Sequence, residues 1–227
     1  MFRKLLLSAL CGAGIMVCSF AQAAEEPAKP TAQPKADKKA EQEKWQPLFN
    51  GKNLDGWKKT NFGGEGEVEV EDHSLIINMG QPISGITWSK KEPPYKIDYE
   101  IRLEAKRVAG TDFFVGLTFP VQDSHCSFIV GGWGGGVIGL SSINDFDASE
   151  NGTTKYQEFK KNQWYKFRVR VEAERIRCWI DDQQVVDQEL KDVKVSTRIE
   201  LDDAQPLGLS TYETKAAIRN FEIRPLK

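Results

Sequence analysis

The chain has little histidine, little cysteine and almost no excess of either charge. Its two histidines and the spacing of its cysteines match no zinc site, which takes three or four such ligands. Of four cysteines, Cys11 and Cys18 fall in an N-terminal apolar run, leaving Cys126 and Cys178 in alternating apolar segments. A free thiol packs there as a small hydrophobe, so we read both as buried thiols, with a disulfide as the alternative in an oxidising compartment. A formal charge of −2 provides no electrostatic footprint for nucleic acid or for an anionic membrane surface. Nor does any apolar run reach the roughly 20 residues of a spanning helix. Helical stripes are missing as well outside the N-terminal leader and the polar segment after it.

What the N-terminus does contain is an export signal. Arg3 and Lys4 precede the apolar run Leu5 to Phe20, and Ala21-Gln22-Ala23 follows as a small-x-small cleavage pattern. Residues 1–23 are therefore expected to be a secretory signal peptide, and the protein to reach the periplasm or the extracellular space. Residues 24–44, which include EEPAKPTAQPKADKKAEQEK, hold proline, alanine and charge but no larger aliphatic side chain. Too little apolar surface is present to offset ordering entropy, which makes this a flexible tether. Residues 45–227 have the length of one domain with a single core.

Within that domain the dominant period is two. Tyr95, Ile97, Tyr99, Ile101 and Leu103 alternate with charged residues, and so do Tyr165, Phe167, Val169 and Val171. Ile176, Cys178 and Ile180 repeat the pattern up to Asp181-Asp182, a predicted hairpin turn into Val185 to Leu190. Shorter strands are expected from Glu67 to Glu71, Leu75 to Met79, Gly85 to Trp88, Phe113 to Phe119, Ser127 to Val130, Val137 to Leu140, Leu207 to Thr211 and Ala217 to Arg224. Many short strands with regular turn signals predict an all-β antiparallel sandwich, with a closed barrel as the alternative. In the opening segment WQPLFNGKNLDGW, Phe49 and Trp57 flank the turn dipeptides Asn50-Gly51 and Asp55-Gly56. We read it as a clasp packing two aromatics onto the sandwich edge.

Function is expected between Gly110 and Asn151. Two apolar strands there run into five glycines around Trp133, and a polar loop then brings Asp145, Asp147 and Glu150 next to Asn151. Glycines at such a bend bring bare backbone near the surface. Asp112, His125, Asp147 and Glu150 are the candidate acids and bases, since proton transfer needs a carboxylate or an imidazole. Trp133 and Trp179 offer flat faces to a sugar ring, with Asp145 and Asn151 as polar contacts. Asp145, Asp147, Ser149 and Asn151 fall at alternate positions, as in a calcium loop, but the turn glycine and the distal glutamate of that motif are missing. No cofactor or metal is therefore expected, calcium being the only alternative. Glu67, Glu69 and Glu71 share one strand face, which we read as solvated.

The segments LFNGKNLDGW, VEVEDHSLII, YKIDYEIRLEAK and IRNFEIRPL together resemble the 3-keto-disaccharide hydrolase family over most of Pro47 to Leu226. The resemblance implies a concanavalin A-like jelly-roll sandwich that cleaves glycosides oxidised at C3. A 3-keto sugar has an acidified C2 proton, so a base can remove it and the C1 substituent can leave. A non-catalytic carbohydrate-binding module is the alternative, because a fold does not dictate chemistry. A third possibility is a structural or interaction domain held in the envelope by the tether.

Overall fold

A computed structural model describes residues 45–226; the expected signal peptide and tether lie outside the described residues. The chain forms β1 (Gln46–Pro47), β2 (Trp57–Lys59), β3 (Val68–Glu71), β4 (Ser74–Ile77), β5 (Ile83–Trp88), β6 (Tyr99–Gly110), β7 (Val115–Val121) and β8 (Ser124–Gly132). It continues with β9 (Val137–Ser141), β10 (Lys155–Tyr156), β11 (Tyr165–Glu172), β12 (Arg175–Ile180), β13 (Gln183–Glu189), β14 (Gly208–Tyr212) and β15 (Thr214–Pro225). A single 3-10 turn, η1 (Ile199–Ala204), precedes β14. Among the described residues no helix is long and apolar enough to cross a membrane.

The strands make two antiparallel sheets of a jelly-roll sandwich. One runs β13-β12-β11-β6-β15-β4-β3 with β1 beside β15, and the other runs β10-β9-β8-β7-β14-β5-β2. Alternation decides which face is covered: in β11 the odd positions Tyr165 to Val171 are buried while the even ones reach solvent. Inward residues of both sheets, among them Tyr99, Phe114, Phe119, Phe128, Phe167 and Phe221, form one core. Tyr99 Oη donates to Pro120 O at 2.6 Å, so a strand of one sheet is tied to a strand of the other. Cys126 and Cys178 are buried in this core as free thiols.

The opening segment folds as the expected clasp. Trp57 Nε1 donates to Leu48 O at 2.8 Å, and its ring packs against Phe221 and Trp88. Strand β6 differs from its alternation pattern, beginning at Tyr99 rather than Tyr95. Asp98 takes a φ of +54°, which a continuing strand cannot use, yet Tyr95 still stacks on Tyr99 at 6.3 Å. The glutamates of β3 lie exposed at the sheet edge, as expected.

The outer face of the β7–β8–β14 sheet is less usual. Thr118, Ser127 and Ser210 point away from the core but are buried. Residues 142–154 and η1 cover them, and a second apolar cluster of Ile83, Phe113, Ile129, Val137, Ala148 and Leu201 fills the space beneath. This covered face positions the candidate site.

Candidate functional site

The turn between β8 and β9 carries the glycines expected at a site. Gly131, Trp133, Gly134 and Gly135 all have positive φ, so the chain here doubles back in a conformation that side chains disfavour. A buried arginine fixes the turn from below. Arg107 Nη2 donates to Gly131 O at 3.1 Å and to Gly135 O at 3.0 Å, and its guanidinium lies 5.0 Å from the Phe114 ring. A Cβ on Gly131 would sit 2.3 Å from that same nitrogen and would displace it, and the φ of +77° strains any other residue there. Burial lowers the pKa of Arg107, against the opposing pull of Asp112 and then Tyr165.

Asp112 locks onto the same turn from the link between β6 and β7. Its Oδ1 accepts from Phe113 N at 2.7 Å and its Oδ2 from Gly134 N at 3.0 Å. Its backbone is bonded on both sides to Thr214 Oγ1 at 3.1 Å. The carboxylate is therefore held in one orientation before any ligand arrives.

Asp112 and Trp133 line one side of a cleft of about 290 Å3. Phe113, Ile129, Leu201 and Tyr212 form its apolar lining, and Arg198 and Glu200 form its other polar side. The Trp133 ring is 42 % exposed and lies 5.8 Å from the Arg198 guanidinium. Arg198 is held from two directions: Nη1 donates to Asp147 Oδ2 at 2.9 Å and Nη2 to Glu200 Oε1 at 2.9 Å. Ser141, also in the lining, has a buried hydroxyl with no hydrogen-bond partner among the described residues. Leaving such a group unpaired costs about 1–3 kcal/mol, so a bound polar molecule or water is favoured beside it. The cleft thus combines a flat ring, two carboxylates, a guanidinium and a hydroxyl, the set of groups that grips a polyhydroxylated ring.

Of the residues singled out from the sequence, the structure brings Asp112 and Trp133 together in the cleft, with Asp147 one step behind it through Arg198. The others lie elsewhere. Asp145 is exposed and pairs with Lys194 at 2.7 Å, while Glu150 projects to solvent from the loop. Asn151 is a loop staple: Nδ2 donates to the carbonyls of Leu140, Phe146 and Asp147, and Oδ1 accepts from Thr153. The carboxylates of the calcium-like pattern are thus engaged, Asp145 by Lys194 and Asp147 by Ser149 and Arg198. Among the described residues no group of three or more His, Cys, Asp or Glu side chains is placed to hold a metal ion.

His125 belongs to a separate depression with Lys96 and Pro206. Burial lowers its pKa and nearby Lys96 lowers it further, with Asp202 opposing. It lies four positions along β8 from Ile129 in the cleft lining, too far for a shared proton transfer. Trp179 lies on the other sheet, its ring 3.7 Å from the Arg168 guanidinium. Arg107, Arg198, Glu200, Tyr212 and Ser141 are additions to the sequence reading. Arg107 alone left a trace there, as a charge in the inward phase of Leu103 and Ala105.

Several solved structures share this architecture. A candidate glycosyl hydrolase from Parabacteroides distasonis matches with TM-score 0.53 and 16 % identity, over 88 % of this chain and 100 % of its own. A Bacillus subtilis protein described as having a galectin-like fold matches with TM-score 0.54 and 10 % identity, over 80 % of this chain and 94 % of its own. The Crh5 transglycosylase, solved in complex with NAG, matches with TM-score 0.53 and 13 % identity, over 81 % and 84 %. At such identities the likeness is one of fold. No curated protein matches the chain in sequence. A family profile does match, across residues 44–224, nearly the whole folded domain and all but the last two residues of the segments quoted above, and by that match the chain belongs to the 3-keto-alpha-glucoside-1,2-lyase-like domain family.

Proposed function

We propose that this is an exported domain that cleaves 3-keto-glycosides in the cleft beside Trp133. The observation that carries the reading is the convergence of Asp112, Trp133 and Arg198 on one cleft, in a chain of this family. At about 290 Å3 the cleft is at the small end of ligand sites, which run from about 300 to 1,000 Å3, as suits one sugar unit with the rest of the substrate outside.

In this reading the sugar ring lies on Trp133 and its 3-keto oxygen faces Arg198. Asp112 takes the C2 proton, the electrons move onto the ketone oxygen, and the guanidinium stabilises the developing enolate. Collapse of the enolate breaks the C1–O bond, and the leaving oxygen takes a proton from the Tyr212 phenol. Water added across the C1–C2 double bond then completes hydrolysis. Asp147 and Glu200 act as positioning residues, holding the planar guanidinium from both sides.

The second reading, a non-catalytic carbohydrate-binding module, is favoured by the exposure of Trp133, a ring on which an unoxidised sugar could also stack. Incubation with a 3-keto-glucoside, with release of the aglycone as the signal, separates the two. Release that disappears in Asp112→Asn supports cleavage. No release, together with measurable binding of an unoxidised oligosaccharide, would replace it with the module.

A further inference from the structure

The sandwich has a second distinctive face, on the opposite sheet from the cleft. Register and burial put the even-numbered residues of β6 and β11 on its outside, with Arg219, Glu222 and Arg224 of β15 paired beside them, and Lys215 follows on the same face by alternation with the buried Ala216. β11 presents Lys166, Arg168 and Arg170 with Glu172. β6 presents Arg102 and Lys106 with Glu100 and Glu104. β15 presents Lys215, Arg219 and Arg224 with Glu222. Cations outnumber carboxylates two to one on these three central strands, although the chain as a whole carries −2. The acidic strand β3 lies at the sheet edge, separated from this basic band by β4.

The lysines of this surface remain available for a partner, while its arginines are engaged: Arg102 pairs with Glu222 at 2.6 Å and Arg219 with Glu104 at 2.8 Å. Glu100 is wholly buried beneath Arg168, Arg170 and Arg224, one carboxylate under three guanidiniums. Lys106, Lys166 and Lys215 take part in no ion pair among the described residues, Lys106 resting on the Trp164 ring at 4.9 Å. Among the described residues Arg170 makes its ion pair through Nε, which donates to Glu100 Oε1 at 2.7 Å. The half-exposed rings of Trp164 and Trp179 lie in the same band, each against a guanidinium. Between them the register of β6 and β15 shifts at Arg219 to Glu222, leaving Asn220 exposed. A groove of about 420 Å3 opens there, lined by Arg102, Lys166, Arg168 and Asn220 and equally by the carboxylates Glu104, Asp181 and Glu222, so the excess positive charge lies along the strands beside the groove rather than within it.

From this band we infer that the β6–β11–β15 face docks an anionic polysaccharide, a chain of carboxylate-bearing sugars. Repeated negative charges match the spaced lysines and guanidiniums, and the groove and indole rings take the sugar rings between them. The inference stands apart from the chemistry of the cleft, which lies on the other sheet. A protein with a pI near 5.9 should otherwise be repelled by a polyanion at neutral pH, so retention would single out this face.

Affinity electrophoresis through gels containing polygalacturonate or neutral dextran tests it. At low ionic strength polygalacturonate should retard the protein, added salt should weaken the effect, and dextran should have none. Lys106→Gln/Lys166→Gln/Lys215→Gln should weaken binding by roughly tenfold, as expected when several steering charges are removed. Single Lys166→Glu, at one exposed side chain, should weaken it in the same direction. Trp133→Ala should bind polygalacturonate as the unsubstituted protein does. The inference falls if polygalacturonate does not retard the protein, if both lysine variants bind unchanged, or if Trp133→Ala abolishes binding. It also falls if phosphatidylglycerol vesicles retain the protein as strongly as polygalacturonate, which would make the face a membrane surface.

Discussion

In the proposed reaction Asp112 is prepared as the base by its neighbours rather than by its own surroundings alone. Each carboxylate oxygen already accepts one backbone N–H, which fixes the orientation of the carboxylate in the wall of the cleft. Asp112→Asn keeps one acceptor and loses the base. Turnover of a 3-keto-glucoside should fall by about 100- to 10,000-fold, the usual span of a general base, while the melting point changes little, since one lost hydrogen bond costs about 1 kcal/mol. An unchanged rate would move the base elsewhere. Arg107 makes the opposite case, a residue whose burial is costly and whose return is geometry. Arg107→Met would leave the carbonyls of Gly131 and Gly135 without their donor, at roughly 1–3 kcal/mol for each buried group. A lower melting point should then accompany faster acrylamide quenching of Trp133, measured as the difference from Trp133→Phe. Arg107→Lys, which can reach a single carbonyl, should fall between. Equal quenching in all three proteins would show that the turn holds itself.

At the scale of elements, the cleft exists because loops cover a sheet face that would otherwise be wet. The loop after β9 and the segment leading into η1 are joined by backbone hydrogen bonds, among them Asn144 N to Lys194 O at 2.8 Å and Ser196 N to Ser142 O at 3.1 Å, and the ion pair of Asp147 with Arg198 is added to these at the cleft. Arg198 is partly exposed, and a pair of that kind adds little to stability, about 0–1 kcal/mol. Asp147→Asn should therefore lower kcat about tenfold, the scale of one charge-assisted hydrogen bond, with the melting point nearly unchanged. A change in KM alone, with kcat intact, would count against a role in the reaction. The same construction explains what was legible beforehand. Strands such as β11 were readable because a two-residue period and a buried face say the same thing twice. The glycine bend and two cleft residues, Asp112 and Trp133, were readable because glycines around a tryptophan have few structural uses. Arg198 and Glu200 were not, because η1 has no period and reaches the cleft only through folding across the sheet. Asn151 was misplaced for a related reason: a side chain that staples three carbonyls has the same sequence as one that binds a ligand.

The whole molecule is two sheets whose inner faces share one core and whose outer faces differ in charge. Cys126 and Cys178 report on that core, because burial pushes the Cys126 thiol up to about 12 and raises Cys178 as well. A thiolate is the reactive form, so Ellman's reagent should modify neither cysteine until the protein unfolds; rapid reaction in the native state would mean that the sheets open locally. The outer charge sets the response to acid. Burial alone would raise the pKa of Glu100, but hydrogen bonds from Arg170 and Arg224 and their charges outweigh it and hold the carboxyl below its ordinary 4.5. Glu65 is also held low, by backbone N–H groups at its turn. A carboxyl depressed in the folded state contributes stability that is complete above its unfolded pKa and is lost as pH falls through its folded pKa. The melting point should therefore hold between pH 7 and 5 and decline below about 4.5. Glu100→Gln removes the partner of three guanidiniums and should cost about 3–5 kcal/mol at pH 7, while flattening the decline in acid, because the titrating group is gone. Glu65→Gln should remove a smaller part of that decline. If Glu100→Gln melted with the same acid dependence as the unsubstituted protein, acid sensitivity would have to come from carboxylates outside the arginine cluster.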